Sequence, residues 1–526
     1  MKVPWISAVL AAMVGTAVWA VPAANAAPRP TAEYEEVQVP MLDNLYLPQT
    51  VTVNPDTVVV WPNDGRTEHN ILPDKKSARW KSGSVKPGKS FEQKFTEPGV
   101  HGYYCSFHGA PKRGMYGTVL VKNADGTLPE AVKNRAPKPR ADGKSRRLRV
   151  APGQRIQQAV DRAAPGDMVL IEPGVYKEAV TVTTDRIVLR GLDRNRVILD
   201  GGYKLDNGIK VLEADGVAIE NMTARKFTRN GFFWTGSTGY RGSYLTATRT
   251  GDYGVYAFDS TDGIIEHSYA SGSPDAGYYI GQCDPCNAVI RDVYAEWNGL
   301  GYSGTNASGN LYVIESVWTK NRAGIVPNSG DGELLPPQHD AVVAGNLVFD
   351  NNNEGTPAID AALLGSYNGI LIAGGNSNLV TKNRVYNHKF VGIGALPNPD
   401  KTFWLSSYNV IRDNVVSDSG MADLGILGGT GNCFAGNTFA TSSPPNIEVV
   451  RPCPNQAEPS VEEIPAGPFL EDKPPSVDYR KAKTPKPPKL PGMRRPLRAR
   501  VRPAVGIVIA IDVDAIELPG KRFTAG

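Results

Sequence analysis

Between residues 34 and 122 apolar and polar residues alternate in short runs, such as Thr50-Val51-Thr52-Val53, Thr57-Val58-Val59-Val60-Trp61 and Thr118-Val119-Leu120-Val121. A period of two marks a strand with one buried face. Turn residues separate the runs, at Asn54-Pro55, Asn63-Asp64-Gly65, Lys86-Pro87-Gly88 and Glu97-Pro98-Gly99. Short strands punctuated this way predict an antiparallel Greek-key β-sandwich over residues 31–122. Residues 123–147 are rich in Pro, Lys, Arg and Ala without an apolar period, and read as a linker.

From about residue 148 the pattern changes and repeats. Gly208, Gly231, Gly254, Gly277, Gly301 and Gly324 recur at intervals of 23, 23, 23, 24 and 23 residues. After an insertion, Gly369 and Gly392 are again 23 apart, and a further coil closes at Gly425. Between the glycines lie β-type stretches such as Val217-Ala218-Ile219, Ala288-Val289-Ile290 and Leu311-Tyr312-Val313-Ile314. A period in the twenties made of short strands without helices predicts a solenoid whose coils stack into parallel sheets, because one coil cannot bury its own apolar face. The L-x-x-L-x-L frame of leucine-rich repeats is missing, so a parallel β-helix over residues 148–455 is the preferred reading. Helical spacing over residues 156–163 predicts a cap on the open first coil, with 165–171 as the first strand.

The run from Ala163 to Tyr176, reading A-A-P-G-D-M-V-L-I-E-P-G-V-Y, resembles the first coil of right-handed parallel β-helix proteins of the pectate-lyase-like kind. The resemblance covers about residues 148–453 and is far more specific for fold than for function. It implies a groove in which carboxylates and basic groups bind or cut acidic polysaccharides. Asp252, Asp259, Glu266, His267, Asp275, His339 and Asp340 are candidates, yet they form no motif. Asp252 and Asp275 are 23 apart and stack on adjacent coils, although turns draw Asp and Asn for backbone reasons alone. Asn298 and Asn321, at the same spacing, predict a ladder of side-chain amides.

The 526 residues suit two or three units, and 57 basic against 53 acidic residues leave a net charge of +4, too slight to imply nucleic acid or a membrane surface as partner. Residues 1–26 read as an export signal, with Lys2, an apolar run from Val9 to Val21 too short to span a bilayer, and Ala24-Asn25-Ala26 as the cleavage site. A secreted, extracytoplasmic protein with no integral membrane segment after cleavage is expected. Residues 456–526, rich in Pro, Lys and Arg, read as a largely disordered tail.

Export makes cysteine pairing the default. Cys283 and Cys286 form a C-x-x-C, read as a structural disulfide before a redox or metal pair, and Cys433 and Cys453 lie together at one end of the solenoid. Cys105 is left alone. An unpaired exported thiol is prone to oxidation unless something occupies it, and a metal is the economical occupant.

The string Tyr103-Tyr104-Cys105-Ser106-Phe107-His108, with Gly114-Met115 after it and His69-Asn70 before it, offers one thiolate, two imidazoles and one thioether. That donor set serves copper in both oxidation states; zinc also accepts two His and one Cys, but the Met argues against it. Cys105 and His108 can face one ion across a tight loop between strands, while His69 arrives at a strand end beside the Asn63-Asp64-Gly65 turn. His101 reads as a side chain of the approaching strand.

Over residues 34–122 this pattern resembles plastocyanin, pseudoazurin and amicyanin, the cupredoxin family, in which His-Asn and a Y-x-C-x-x-H…M loop carry copper. The resemblance implies a type 1 (blue) centre cycling between Cu(I) and Cu(II), with His69, His108 and Cys105 as ligands and Met115 as axial ligand. Six residues separate His108 from Met115, a longer loop than in plant-type members. The resemblance also implies that electrons leave through a solvent-facing edge of His108, among Phe107, Ala110 and Pro111. The expected function is one-electron transfer to a redox partner protein the sequence does not identify, without enzymatic chemistry, with the β-helix binding carbohydrate or cell wall. A polysaccharide-active enzyme with an accessory copper domain and an extracytoplasmic copper-handling protein are the alternatives.

Overall fold

The computed structural model describes residues 35–129, 145–454, 475–498 and 511–520. The export signal expected at 1–26 and most of the linker lie outside the described residues.

Residues 36–121 fold as a β-sandwich. One sheet orders Glu36–Gln38, Thr57–Pro62 and Ser90–Phe95; the other orders Thr50–Val53, Arg113–Val121, Gly99–Ala110 and Leu72–Pro73. The alternation works as expected: in Thr57–Pro62 the residues Thr57, Val59 and Trp61 point inward, where Trp61 packs against Phe91, Phe95 and Tyr103. The sheets are mixed rather than purely antiparallel. Glu36–Gln38 runs parallel to Thr57–Pro62, and Thr50–Val53 parallel to Arg113–Val121. Both pairs are reached by crossovers between sheets instead of by hairpins, which is what parallel pairing requires.

Residues 147–454 form the parallel β-helix, with a 20-stranded and an 11-stranded sheet. It begins one strand earlier than the sequence pattern suggests, with Arg147–Val150 paired in parallel to Met168–Ile171. The helix Ile156–Asp161 covers the open end, burying Ile156, Ala159 and Val160, and Glu178 accepts the free Ile156 N–H at 2.7 Å. The glycine repeat has a steric cause. A Cβ on Gly208, Gly231, Gly254, Gly301, Gly324 or Gly369 would approach the carbonyl oxygen of the equivalent glycine on the next coil to between 2.4 and 2.6 Å. Amide ladders run alongside: Asn298 Nδ2 donates to Asn321 Oδ1, and Asn321 Nδ2 to Asn351 Oδ1, each at 3.0 Å. Cys283–Cys286 and Cys433–Cys453 are disulfides, and Cys105 is free and buried.

The ladder ends at His388. Asn351 Oδ1 is already an acceptor, so its Nδ2 donates to His388 Nε2 at 3.2 Å and the imidazole is neutral. Burial pulls His388 down to about 3, against about 6.5 in an unfolded chain. The unfolded state therefore binds the extra proton between those values. The stability this group contributes is complete above about pH 6.5 and is lost as pH falls toward 3, by up to about 1.4 kcal/mol per unit. Urea unfolding of the β-helix at pH 7, 5 and 4 should show this decline, and His388→Gln should flatten it; an unchanged slope would assign it elsewhere.

Strands of the short sheet are apolar on both faces. In Phe232–Thr235 and Val255–Phe258, Phe232, Trp234, Val255 and Ala257 enter the interior core, whereas Phe233, Tyr256 and Phe258 join a second cluster on the outer face. The sandwich domain docks on that outer face: Asn44 donates to the Tyr256 hydroxyl, and Arg66 pairs with Asp400 at 2.8 Å.

The tail reading is corrected for residues 475–498 and 511–520, which lie along the β-helix. Arg194 donates to the Pro491 carbonyl and Asn195 to that of Leu490, while Ile516 packs with Ile264, Val289 and Ile314. A proline-rich strap makes few hydrogen bonds of its own, so its carbonyls are free for Arg and Asn side chains presented by successive coils.

Candidate metal centre

The long strand Gly99–Ala110 and its neighbour Arg113–Val121 pair regularly from Gly99 to Tyr104, lose register, and resume at Gly109↔Gly114. The irregular stretch holds Cys105 and His108, and the bulge lets both turn inward although they are three residues apart. They therefore lie within a bulged strand, not on a loop between strands. The tight turn comes later, at Pro111-Lys112, closing a short hairpin. This accounts for the long interval before Met115: the extra residues form the hairpin tip, and the chain returns at its base with Met115 buried in the same core as Cys105. Gly114 has φ +61°, and a Cβ on Gly109 would come within 2.6 Å of the Met115 carbonyl.

His69 comes from the other side. It bridges to Val85 rather than ending a strand, and its loop is pinned by the Asn63 side chain, which donates to the carbonyls of Thr67 and Val85. Asn70 clasps the segments that carry His69 and Cys105, accepting the Ser106 N–H at 2.8 Å and donating to Ser106 Oγ at 2.9 Å.

The three donor atoms converge. His69 Nδ1 and His108 Nδ1 are 3.1 Å apart, and Cys105 Sγ is 3.6 Å from His108 Nδ1 and 3.9 Å from His69 Nδ1. Donors about 2.0 Å (nitrogen) and about 2.3 Å (sulfur) from a shared ion lie roughly 3.3 to 3.8 Å apart, so the trio fits one metal. Among the described residues this is the one such cluster of His, Cys and carboxylates.

Burial also prepares the donors. It pulls His69 down to about 3 and His108 well below its usual range, helped by the positive charge of Arg229, so both rings keep a free lone pair. His69 Nε2 is 3.4 Å from Thr67 Oγ1, which is itself hydrogen bonded to Asp43, leaving Nδ1 free to bind a metal. Burial pushes the Cys105 thiol up, while the N–H groups of Asn70, His108 and Phe107 aimed at the sulfur favour the thiolate. A metal tips that balance, since coordination deprotonates a thiol outright.

The solvent-facing His108 edge is corrected: His108 is only 2% exposed. Its ring meets Phe233 of the β-helix edge-on at 6.4 Å. Lys210 donates to the carbonyls of Ser106 and Gly109, Asn207 to that of Phe107, and Arg229 covers the Phe107 ring at 4.2 Å. Glu213 takes the Gly114 N–H at 2.8 Å. The face expected to be open is thus the face that docks, because the bulge leaves its carbonyls and the Gly114 N–H unpaired and the solenoid supplies partners.

Lys210, Arg229 and Phe233 were not singled out from the sequence. The available signal was the unbroken apolar character of Phe232-Phe233-Trp234 and Val255-Tyr256-Ala257-Phe258, which marks strands buried on both faces. The polysaccharide candidates do not gather. Glu266 is held by Arg241 and Arg291, His267 by Asp292, and His339 by Asp340 and Asp284. Asp252 and Asp275 do stack on adjacent coils, Asp252 pairing with Arg229 at 3.3 Å.

Residues 36–122 match the family model of copper binding proteins, plastocyanin/azurin family, and residues 207–403 that of the right handed beta helix region. A plastocyanin from Scenedesmus fuscus is 29% identical over 87 residues, which span 15% of this chain and 87% of the plastocyanin. Among solved structures, a purple cupredoxin from Nitrosopumilus maritimus is 30% identical, covering 17% of this chain and 99% of its own, with a TM-score of 0.15. The mannuronan C-5 epimerase AlgE4 A-module from Azotobacter vinelandii is 14% identical, covering 55% of this chain and 91% of its own, with a TM-score of 0.41.

Proposed function

We propose that this chain, a cupredoxin domain joined to a right-handed parallel β-helix, is a secreted type 1 copper protein that carries single electrons, with His69, Cys105, His108 and Met115 as ligands. The observation that supports this most is the convergence of one sulfur and two neutral imidazole nitrogens, buried together in a domain of a copper-binding family. Copper bound there supplies a centre that passes between Cu(I) and Cu(II).

The chain's own residues keep that centre constant between states. The Asn70 clasp fixes the distance between the two ligand segments, and the Thr67–Asp43 chain fixes the tautomer of His69. Burial excludes water as an extra ligand. Lys210, Asn207 and Glu213 hold the bulge and hairpin tip from outside, so the ligands move little when the charge changes. Two disulfides suit an oxidising compartment. The remaining surface of the β-helix serves for carbohydrate or cell-wall attachment.

The test is the metal content and visible spectrum of the full mature chain. A single tightly held copper, with an intense visible band when oxidised, is expected. Protein that takes up no copper, or stays colourless with Cu(II) bound, overturns the reading. Ready transfer of Cu(I) to an acceptor would instead favour copper handling, and depolymerised uronate polymer would place catalysis in the β-helix.

A further inference from the structure

Four aromatic rings of the β-helix stand in series between His108 and a cavity of about 600 Å³ at the junction of the two domains. His108 meets Phe233 at 6.4 Å, Phe233 stacks on Tyr256 at 4.7 Å and 11°, and Tyr256 stacks on Tyr253 at 4.4 Å. Tyr279 lies 5.0 Å from Tyr256 and 4.7 Å from Tyr253. Tyr253 and Tyr279 line the cavity, and Phe233 and Tyr256 connect them to the metal ligand. All four rings are buried, so the series is dry.

The cavity has the volume and character of a small-molecule site. Leu300, Val326, Leu371, Phe390 and Leu396 make much of its wall. Five carboxyl groups, with Arg66 and Lys86, share the lining, and two of the five, Glu333 and Asp275, meet the tyrosines. Glu333 accepts the Tyr279 hydroxyl on one oxygen, and its other oxygen is buried without a partner among the described residues. Asp275 accepts the Tyr253 hydroxyl, and burial pushes it up to about 7, where it takes up a proton readily near neutrality. Burial pushes the Glu333 carboxyl well above its ordinary range, so it holds a proton and can donate as well as accept; leaving its second oxygen unpaired costs about 1–3 kcal/mol, so the site is built for a ligand that brings a hydroxyl, which can do either. The aliphatic part of the wall suits an apolar body, and the carboxyl groups beside it suit hydroxyls carried on that body.

We propose that this cavity binds a small phenol or hydroquinone, and that Tyr253, Tyr279, Tyr256 and Phe233 conduct its electron to His108. The proposal rests on the copper reading above. In the step the phenolic O–H bond breaks: the proton goes to the Asp275 carboxylate, the electron crosses the rings to His108, where bound Cu(II) would take it up as Cu(I), and a neutral phenoxyl radical remains. Glu333 pairs with the ligand's second hydroxyl. A dry aromatic path matters here because the docked β-helix closes the direct approach to His108.

The test uses the full mature chain and hydroquinone as probe. Copper content is measured first, and a chain that takes up none overturns the copper reading together with the relay. Calorimetry on metal-free protein then scores the cavity by itself: saturable binding is expected, lost in Leu371→Trp, and no binding overturns the cavity assignment while leaving the copper reading intact. Anaerobic stopped-flow mixing of the oxidised protein with hydroquinone, followed by loss of the Cu(II) electron paramagnetic resonance signal, scores the relay. Tyr256→Leu should slow reduction at least about tenfold with hydroquinone affinity unchanged, and Tyr256→Phe, which keeps the ring, should restore the rate. Equal rates in wild type and Tyr256→Leu overturn the relay, as does binding of benzylamine in preference to hydroquinone, which would mark the cavity as a cation site.

Discussion

Cys105→Ala should abolish copper retention, lowering affinity by about a thousandfold or more, equivalent to roughly 4 kcal/mol, and removing any visible band. The thiolate is the sole soft anionic donor of the cluster, and the two imidazoles that remain are neutral and supply no compensating charge. The apo fold should survive. Cys105 is a small buried side chain within a larger core, and its truncation leaves a gap costing on the order of 1 kcal/mol. Copper content after dialysis, read beside the apo unfolding temperature, separates the two effects. Stoichiometric copper in the alanine variant would mean that the sulfur is no ligand. Met115→Leu is expected to keep the metal and to shift its spectrum and potential, since an axial thioether tunes the centre more than it holds it.

Gly324→Val should destabilise the β-helix by about 3 kcal/mol or more, a fall of roughly 5 °C in unfolding temperature for a unit of about 300 residues. A Cβ on Gly324 would lie 2.4 Å from the Gly369 carbonyl oxygen and 2.6 Å from Val348 Cγ1. Neither neighbour is free to move, for the carbonyl belongs to the stacked backbone and Val348 to the core. Gly83→Val is the matched control. Nothing lies within 4 Å of a Cβ there and the backbone is not left-handed, so stability should stay within about 0.5 kcal/mol of wild type. Equal effects of the two substitutions, measured by thermal unfolding, would show that close stacking of coils is not what selects glycine in the repeat.

The solenoid was legible because its constraint is local and recurrent. Each coil repeats the same contact with the next, so the glycine spacing and the amide ladder are written directly in the chain. The cluster of donors was legible for a chemical reason, since an unpaired cysteine beside two histidines is hard to place otherwise where export is expected. Strand polarity in the sandwich was less legible: alternation reports which face is buried, and Glu36–Gln38 alternates the same way whether its neighbour runs with it or against it. The tail was misread because composition reports what a segment can bury by itself, whereas the segment at 475–498 is held by side chains presented hundreds of residues away.

Local pattern along the chain is thus enough for a strand-rich front domain with a sulfur and two imidazoles within reach of one another, a stacked solenoid behind it, and the pairing of the cysteines. What surrounds the donors comes from the docking of the two domains. Lys210, Arg229 and Phe233 reach the bulge from coils about a hundred residues away. Their meeting with His108 depends on how two separately folded surfaces fit, and no period or spacing along one chain encodes that fit. The same docking buries His108 and assembles the aromatic series beside it, because an apolar outer face on the short sheet had to be covered by something.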